Sequence, residues 1–405
     1  MIKDKKLLVV GGSYLQLPAI IKAKEMGLQV AVADYNPNAI GVSYADKYYN
    51  VSTVDEKGIY EAAKNFCADG VTTLATDMPI RAVSFACEKL GLSSISYDTA
   101  IKSTDKGEMI KAFDAQGVSH PWYFILEDIE QLSSIESKIV YPCISKPLDS
   151  SGSRGVVLIN CPEELRESIE YSSTQGRNTG VIIEEFMRGK EVSVEIMVVN
   201  EKVHILAVTD KLTTGAPHFV EMCHSQPSRL GEKNVNRIRE LAIKAVLAVG
   251  IKNGPAHVEI MLTEDGPKVI ELGARMGGDF ISTHLVPLST GIDMVKAVID
   301  LACGEGVDLI PKFDRGSSIQ YISGDVGVIK NIDGLDLASK IDGVFEVKML
   351  KNVGELSKVI CNSLDRLGYV IAQGPSVLEA RDICKSALTC IDLEIDKSKG
   401  DVCNA

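Results

Sequence analysis

Two glutamates in the segment AHVEIMLTEDGPKVIELGAR (residues 256–275) could bind a metal ion. Apolar and polar residues alternate on both sides of the turn sequence TEDGP, which predicts a β-hairpin. A hairpin centred on Asp265 places Glu259 directly opposite Glu271, with Cβ atoms about 4.5–5.5 Å apart. Two carboxylates at that distance repel each other unless a cation lies between them. Mg²⁺ takes one or two carboxylates together with substrate phosphates. The pair therefore predicts a magnesium site, and the alternative is two solvent-facing acids on an edge hairpin.

The neighbours of this pair favour the metal site. His257, Glu259 and Met261 share one face of the first strand, in an otherwise apolar setting. Arg275 follows Glu271 by four residues and would place positive charge near the metal. Such an arginine stabilises negative charge that develops during phosphoryl or acyl transfer.

A second segment, SKPLDSSGSRGV (residues 145–156), has the composition of a phosphate-binding loop. It lacks the G-x-x-x-x-G-K-[ST] pattern of a P-loop, and a strand rather than a helix follows it. The segment is therefore predicted to be the tip of a hairpin. Its backbone N–H groups and serine hydroxyls could close over a polyphosphate as a flap, with Lys146 at the strand end beside it. The alternative is a mobile polar hairpin.

Two further acids could bind a nucleoside. The segment VIIEEFMRGKEVSVEIMVV (residues 181–199) reads as two strands joined by a short turn, with Glu184 and Glu191 seven residues apart. One acid could accept from an adenine amino group and the other from ribose hydroxyls. The alternative is an ordinary charged hairpin.

The N-terminal sequence VVGGSYLQLPAI (residues 9–20) resembles a dinucleotide-binding turn only in part. The fingerprint requires a third glycine, and Gln16 stands at that position, although Asp34 is placed like a ribose-binding acid. A tight βα turn is the favoured interpretation. An anion site at the helix N-terminus comes second, and NAD binding comes last.

These residues need a scaffold of several units. Alternating strands and helices predict a Rossmann-like domain over roughly the first hundred residues, including a short strand near 93–96. A small strand-loop-strand-helix-strand unit follows. Period-two alternation over 191–209 and 256–272 predicts antiparallel strands. The remaining predictions are helices over 234–249 and 291–303, then a C-terminal unit with strands at 317–321, 345–349 and 369–372 and helices at 354–364 and 376–389.

Composition excludes several classes of protein. The chain has 405 residues, 45% hydrophobic and 24% charged, with a formal net charge of −12. This balance argues against a general nucleic-acid binder. No apolar run approaches about 18 residues, which argues against a membrane span. The N-terminus reads as a short charged lead into a strand, so no secretory signal is expected there. Ten scattered cysteines without a CxxC pair predict reduced thiols and no structural zinc site. A cytoplasmic location is expected.

Taken in order, these motifs resemble the ATP-grasp superfamily, which includes D-alanine–D-alanine ligase, biotin carboxylase, glycinamide ribonucleotide synthetase and the amino-acid ligases. The resemblance covers roughly residues 1–310, and the C-terminal unit is similar to that of the carboxylase-like branch. It implies a mixed α/β and α+β fold. The implied units are a Rossmann-like N-terminal domain (1–105), an ATP-grasp lid subdomain (106–190), a large catalytic subdomain (191–312) and a small C-terminal α+β unit (313–405).

The resemblance also implies residue roles and ligands. ATP would be bound, with one or two Mg²⁺ ions for which Mn²⁺ could substitute. Phosphates would be contacted by three lysines and by the flap, namely Lys106, Lys146, Lys211, Ser150, Ser151, Gly152, Ser153 and Gly155. Adenine and ribose would be held by Glu184, Glu185, Phe186, Met187 and Glu191. Glu259 and Glu271 would bind the metal, Lys211 would reach the terminal phosphate, and Arg275 would steady an acyl-phosphate intermediate.

The sequence departs from the family pattern at two places. The family commonly has E-x-N-x-R at the second metal carboxylate, whereas this chain has Gly273 in place of the asparagine. A second metal would then depend on Glu271, phosphate oxygens and water. Biotin carboxylases have Gln-Val-Glu after the arginine, but Met276 to Asp279 follow here, so carboxylation of biotin is set aside.

The leading hypothesis is an ATP-dependent carboxylate–amine ligase that acts through an acyl phosphate. Residues 213–228 lack a regular period, and His218, Glu221 and His224 within them could shape the acceptor site. The alternative, favoured for each histidine taken singly, is an ordinary loop residue. This segment resembles that of amino-acid ligases, so an amino-acid or peptide-like substrate is expected. The alternatives are a purine-pathway ligase similar to glycinamide ribonucleotide synthetase and a non-catalytic nucleotide-binding regulator. The expected partners are small-molecule carboxylate and amine substrates and, since many members are dimers, a second copy of the chain.

Overall fold

The computed structural model describes residues 2–150, 152–178 and 180–398. The first sheet in this part of the chain is parallel, with its strands in the order β3-β2-β1-β4. Its strands are β1 (Lys6–Val10), β2 (Gln29–Asp34), β3 (Lys47–Asn50) and β4 (Gly70–Thr72). The associated helices are α1 (Leu17–Glu25), α2 (Glu56–Phe66), α3 (Ile80–Leu90), α4 (Tyr97–Thr104) and α5 (Lys106–Ala115). Helices cover both faces, which is why β1 and β2 are almost completely buried.

The strand predicted near residues 93–96 is wrong. This segment forms a turn, and Ser96 caps α4 by accepting a hydrogen bond from the Thr99 amide. Serine hydroxyls satisfy the free N–H groups at helix N-termini, which favours a cap over an extended strand here.

The second sheet is antiparallel and carries the flap. Its strands are β5 (Tyr123–Leu126), β6 (Cys143–Pro147), β7 (Val157–Ile159) and β8 (Val181–Glu185), in the order β5-β8-β6-β7, with α6 (Pro162–Gln175) packed on one face. β6 and β7 pair directly, with Cys143 opposite Ile159. The serine- and glycine-rich segment is therefore the tip of a hairpin, as predicted.

The third sheet has eight strands in the order β13-β12-β9-β10-β11-β14-β18-β16. They are β9 (Lys190–Val199), β10 (Lys202–Thr213), β11 (Glu221–Gln226), β12 (Gly254–Leu262), β13 (Pro267–Gly273), β14 (Gly316–Ile322), β16 (Val344–Met349) and β18 (Gly368–Gly374). Its helices are α7 (Glu232–Val249), α8 (Val286–Thr290), α9 (Met294–Ala302), α10 (Leu335–Ser339) and α11 (Val377–Thr389). The sheet continues across residue 312, because β14 pairs with β11. The C-terminal strands therefore extend the sheet that carries the acids.

Helix α7 determines which face of β12 points toward the site. Its apolar stripe (Ile238, Leu241, Ala242, Ala245, Val246, Val249) packs on buried residues of the sheet, among them Ala256, Val258 and Ile260 of β12. Burying each large apolar side chain stabilises the fold by about 1.5–3 kcal/mol. Since side chains alternate along a strand, His257 and Glu259 must point to the opposite face.

A small sheet, in the order β17-β15-β19, completes the described chain with β15 (Gly327–Asp333), β17 (Leu356–Ser357) and β19 (Asp392–Asp396). The helix predicted over 354–364 is wrong. Ser357 pairs with Gly327, and Asn362 caps a short 3₁₀ turn over Ser363–Asp365. Other short helical turns span Ile40–Tyr44, Ile129–Ser134 and Glu136–Lys138, with a π-helical turn at Ile281–Leu285. Among the described helices, none has the length and apolar character needed to cross a membrane.

Candidate active site

Glu259 and Glu271 are register partners on β12 and β13, as the hairpin prediction required. The ladder reaches this pairing through an irregularity. Ile260 pairs with Val269, and the next pair is Glu259 with Glu271, so Ile270 is an extra residue on β13. This β-bulge aligns the two acids. Opposed hard oxygen ligands of this kind suit Mg²⁺.

Lys211 on β10 lies under Glu259 and contacts three carboxylates. Its Nζ is 2.7 Å from Glu191, 2.5 Å from Glu221 and 3.1 Å from Glu259, and its side chain is only 1% exposed. Burial lowers the pKa of Lys211, but the three acids outweigh this and raise it well above its usual value. Lys211 is therefore a permanent cation in the middle of an acidic cluster.

A buried chain of polar groups supports Glu259 from behind. The Nε2 atom of His257 is 3.2 Å from Glu259, and its Nδ1 atom is 2.7 Å from Glu195. Glu195 is completely buried and accepts hydrogen bonds from Ser193 and Ser282. Burial raises the pKa of Glu259, but Lys211 and His257 outweigh it and hold the pKa well below its usual range. Glu259 is thus kept as an anion.

Lys106 begins α5 and connects the other acid to the flap. Its Nζ is 3.2 Å from Glu271 and donates a 2.6 Å hydrogen bond to the Ser150 carbonyl. Burial lowers the pKa of Lys106, but the neighbouring Glu271 outweighs burial, so the net pKa is raised. The structure therefore brings together Lys106, Lys211 and the acid pair, which come from three separate segments of the chain.

The predicted nucleoside end lies on β6 and β8. Lys146 and Glu184 are both buried and form an ion pair of 2.5 Å. Glu185 binds Lys268 of β13 at 2.7 Å, which ties this sheet to the metal hairpin. Phe186 lies 6.1 Å from Phe219 between ring centroids. Glu184 is therefore a partner of the predicted phosphate-binding lysine, a contact that the sequence did not suggest.

The flap is anchored at its base. Asp149 accepts hydrogen bonds from the Arg177 amide (2.9 Å) and from Asn178 (2.9 Å). The Ser172 hydroxyl donates to the Gly155 carbonyl at 2.8 Å. Gly152, Ser153 and Gly155 have positive φ angles, as a tight loop tip requires. Ser151, also predicted for this flap, lies outside the described residues.

Arg275 follows β13 and points toward the N-terminal domain. Its Nε and Nη2 atoms donate to both carboxylate oxygens of Asp77, at 2.9 and 3.1 Å. Burial lowers the pKa of Arg275, but the negative charges of Asp77, Glu259 and Glu271 have the larger effect. The net pKa is therefore above its usual value. Arg275 is therefore bound to the N-terminal domain, and its role at the metal site stays a prediction.

A second cluster lies beside Lys211, where the acceptor site was predicted. One ligand atom each from Glu221, His224 and Asp279 lies within 4.8 Å of the others. His224 is completely buried, and neither ring nitrogen has a hydrogen-bond partner among the described residues. Asp279 is held by Arg366, whose guanidinium also stacks 3.7 Å over Tyr321. His218, by contrast, is exposed in a turn and lies outside this cluster.

The Gly11–Gly12 segment is a tight turn whose N–H groups are hydrogen-bonded to residues of the neighbouring strand. Gly12 N–H donates to the Asp34 carboxylate at 2.8 Å, and Gly11 N–H donates to the Ala33 carbonyl. Gln16, at the third glycine's position, donates to the Leu74 carbonyl. This geometry agrees with the favoured interpretation of a structural turn.

Comparisons with known proteins agree with this architecture. Residues 139–284 match the ATP-grasp domain family model. This segment therefore belongs to the ATP-grasp domain family, and the predicted mixed α/β fold class is confirmed. Residues 320–396 match the model of the L-amino acid ligase C-terminal domain 2. This second domain was not predicted as such, because the C-terminal unit was compared only with the carboxylase-like branch.

Several similar proteins are ligases or synthetases by name. The alanine–anticapsin ligase of Bacillus subtilis (strain 168) is 28% identical over 72% of this chain, which spans 66% of that ligase. An L-amino acid ligase from Bacillus licheniformis has a TM-score of 0.83 at 23% identity, covering 97% of this chain and 99% of that one. A phosphoribosylglycinamide synthetase from Anaerococcus prevotii has a TM-score of 0.79 at 21% identity, covering 97% and 100%. These names agree with the predicted enzyme class of ligases that form carbon–nitrogen bonds.

Several residues of the site were not predicted from the sequence. Asp77 and Arg366 are the partners of Arg275 and Asp279 but lie 198 and 87 residues away from them. Glu195 contacts His257, and Glu221 contacts Lys211. Of these two acids, only Glu221 was a candidate from the sequence. A lone acid in a loop or on a strand has no local pattern that marks it, so no signal in the sequence could have identified these pairs.

Proposed function

We propose that the protein is an ATP-dependent carboxylate–amine ligase that activates its carboxylate substrate as an acyl phosphate. One observation carries the proposal: the opposed Glu259 and Glu271 are each contacted by a lysine, Lys211 and Lys106 respectively. Phosphoryl transfer depends mainly on positioning and on charge neutralisation. A pair of acids for a metal, surrounded by cations for phosphates, meets both needs.

Each side chain then has a physical task. Glu259 and Glu271 would hold Mg²⁺, which when bound neutralises phosphate charge and orients the transferred group. Lys106 and Lys146 bind phosphate oxygens, and Lys211 reaches the terminal phosphate. Arg275 donates hydrogen bonds to negative charge that develops as the carboxylate is phosphorylated.

The nucleoside would lie along β8 and the connection to β9. Glu184 and Glu185 begin this path, the backbone near Phe186 and Met187 reads the adenine edge, and Glu191 accepts from ribose hydroxyls. The Lys146–Glu184 ion pair supports the arrangement, because it holds the phosphate-binding lysine at the end of the adenine strand.

We propose an amino-acid or peptide-like substrate. The acceptor site would be the cluster of Glu221, His224 and Asp279, whose acids can receive an ammonium group. The buried imidazole lies 3.7 Å from Asp279 and 3.8 Å from Glu221 and makes no hydrogen bond to the described residues. The match of residues 320–396 to an L-amino acid ligase domain supports this choice, because Arg366 of that domain binds Asp279.

The purine-pathway alternative needs a ribose-phosphate site, for which the Gly11–Gln16 turn was the candidate. The Asp34 carboxylate already accepts from Gly12 N–H, so a phosphate there would meet a negative charge. This contact favours the amino-acid ligase over the purine-pathway ligase. A homodimer and a cytoplasmic location stay predictions.

The test is substrate-dependent release of ADP. Single amino acids, pairs of amino acids, and glycine with phosphoribosylamine are supplied with Mg²⁺ and ATP, and products are identified by mass spectrometry. ADP release that requires two amino acids and yields a dipeptide supports the proposal. Turnover only with phosphoribosylamine would favour the purine alternative, and tight ATP binding without turnover in any mixture would contradict catalysis.

A further inference from the structure

We infer that Asp77, in the loop after β4, is a positioning residue that orients the Arg275 guanidinium, and that residue 273 is glycine because this ion pair occupies the space above it. The catalytic part of this inference rests on the proposed function. Its geometric part concerns only Asp77, Gly273 and Arg275 and stands independently.

The hydrogen bonds determine both the position and the plane of the guanidinium. Nε donates to Asp77 Oδ1 at 2.9 Å, Nη2 donates to Oδ2 at 3.1 Å, and Nη1 donates to the Met276 carbonyl at 3.1 Å. Two parallel bonds to one carboxylate restrict rotation of the plane. Arginine has five N–H donors, so one remains on each terminal nitrogen. Those two can be directed at a substrate.

The space above Gly273 is filled by this pair. A Cβ atom at position 273 would lie 3.0 Å from Arg275 Nε, 3.0 Å from Asp77 Oδ1 and 3.2 Å from Arg275 Cζ. Gly273 does not have a positive φ angle, so backbone conformation does not demand glycine here. Close approach of the ion pair favours glycine instead. A Cβ atom at these distances is in tighter contact than usual, so any side chain, including the asparagine of the related pattern, would require the Asp77–Arg275 pair to shift.

Asp77 also prevents a competing contact. Glu271 lines the same small cavity as Arg275, so its carboxylate also attracts the guanidinium. An arginine released from Asp77 would therefore be drawn onto the acids that are proposed to hold the metal. A small cavity of about 30 Å³ lies between these groups and is lined by Asp77, Lys106, Glu271 and Arg275 among others. The N-terminal domain thus contributes a carboxylate that competes with Glu271 for Arg275.

The geometric part is tested by a double-mutant cycle on stability. Gly273→Ala, Asp77→Ala and the double variant are compared by free energy of unfolding in urea, with Gly306→Ala as control because a Cβ there meets nothing within 4 Å. The alanine at 273 should destabilise the wild type more than it destabilises the Asp77→Ala protein, since that background has space for the Cβ. Strictly additive effects would overturn the geometric inference.

The catalytic part is tested with Asp77→Asn, which keeps the shape of the side chain. We expect kcat to fall about 10- to 100-fold, the loss typical of a misplaced catalytic group, while KM for ATP changes less than about threefold. Asp77→Glu should recover part of kcat, and Asp98→Asn, which removes an exposed ion pair, should leave it unchanged. An unchanged kcat in Asp77→Asn would overturn the positioning role. An inactive wild type would instead refute the proposed function, and the stability cycle would still decide the geometry.

Discussion

Glu259 lies directly opposite Glu271 only because Ile270 is an extra residue in β13. The residue pairs between the turn and Ile260 are offset by one position relative to the Glu259–Glu271 pair, and the bulge at Ile270 removes this offset. A regular hairpin would pair Glu259 with Ile270 and turn Glu271 away from its partner. The alignment of the acid pair thus depends on a local irregularity of the sheet.

Glu271→Gln should abolish ATP-dependent turnover, because the amide keeps the size of the side chain but removes the charge that faces Glu259. The measurement is ADP release at saturating substrates. Glu264→Gln, in the exposed turn of the same hairpin, is the matched control and should be fully active. Wild-type activity in Glu271→Gln would mean that the acid pair has no role in catalysis.

Lys146→Ala should weaken ATP binding by about 1.5–3 kcal/mol, the value of a hydrogen bond to a charged group, or roughly 10- to 150-fold in Kd. Isothermal titration with ATP measures this change. Lys138→Ala, an exposed lysine, serves as control.

The same variant leaves Glu184 without its buried partner, so thermal stability should fall as well. The double variant Lys146→Met with Glu184→Gln should regain stability without regaining affinity for ATP. If ATP binds Lys146→Ala as tightly as the wild type, this lysine does not contact the nucleotide.

Stability should decrease in mildly alkaline solution because of His257. Burial lowers its pKa, but Glu195 and Glu259 outweigh burial and raise the pKa to about 9, against about 6.5 in the unfolded chain. The charged imidazole therefore stabilises the fold fully below pH 6.5, and this contribution, up to about 3 kcal/mol, is lost as the pH rises through 9.

Urea unfolding of the wild type and of His257→Gln between pH 6 and 10, with a chelator present, measures this contribution. The wild type should lose its advantage as the pH rises, and the variant should show a flatter profile. Parallel profiles for the two proteins would show that His257 does not carry this charge.

Binding of nucleotide should protect the flap. Arg154 lies in a loop tip with positive φ angles at Gly152, Ser153 and Gly155, a geometry open to trypsin when the loop can move. Trypsin cleavage after Arg154 should become several-fold slower with Mg²⁺ and a non-hydrolysable ATP analogue. Equal cleavage rates with and without the analogue would argue against a closing flap, and cleavage at an exposed site such as Lys138 is the internal control.

The sequence by itself determined the local elements and the types of residue in the site. Period-two alternation around a TEDGP turn predicted the pairing of Glu259 with Glu271, which in the structure also requires the bulge at Ile270. Hairpin geometry likewise placed the serine- and glycine-rich tip between β6 and β7. These predictions succeeded because neighbours in the chain and the pleat of a strand fix which side chains share a face. The predictions of a strand near 93–96 and of a helix over 354–364 were wrong. The Ser96 cap overrides local periodicity in the first segment, and the Asn362 cap and the pairing of Ser357 with a distant strand override it in the second.

Only the tertiary structure decided the partners of those residues. Asp77 meets Arg275, Glu184 meets Lys146, and Arg366 meets Asp279 through contacts between separate sheets and loops. The attraction between opposite charges depends on distance in space and on burial, and neither quantity can be read from positions up to 198 residues apart in the chain. Gly273 illustrates the difference. The sequence shows only that glycine replaces the asparagine of the related pattern, whereas the structure shows that the Asp77–Arg275 pair lies next to the position where a side chain at 273 would begin.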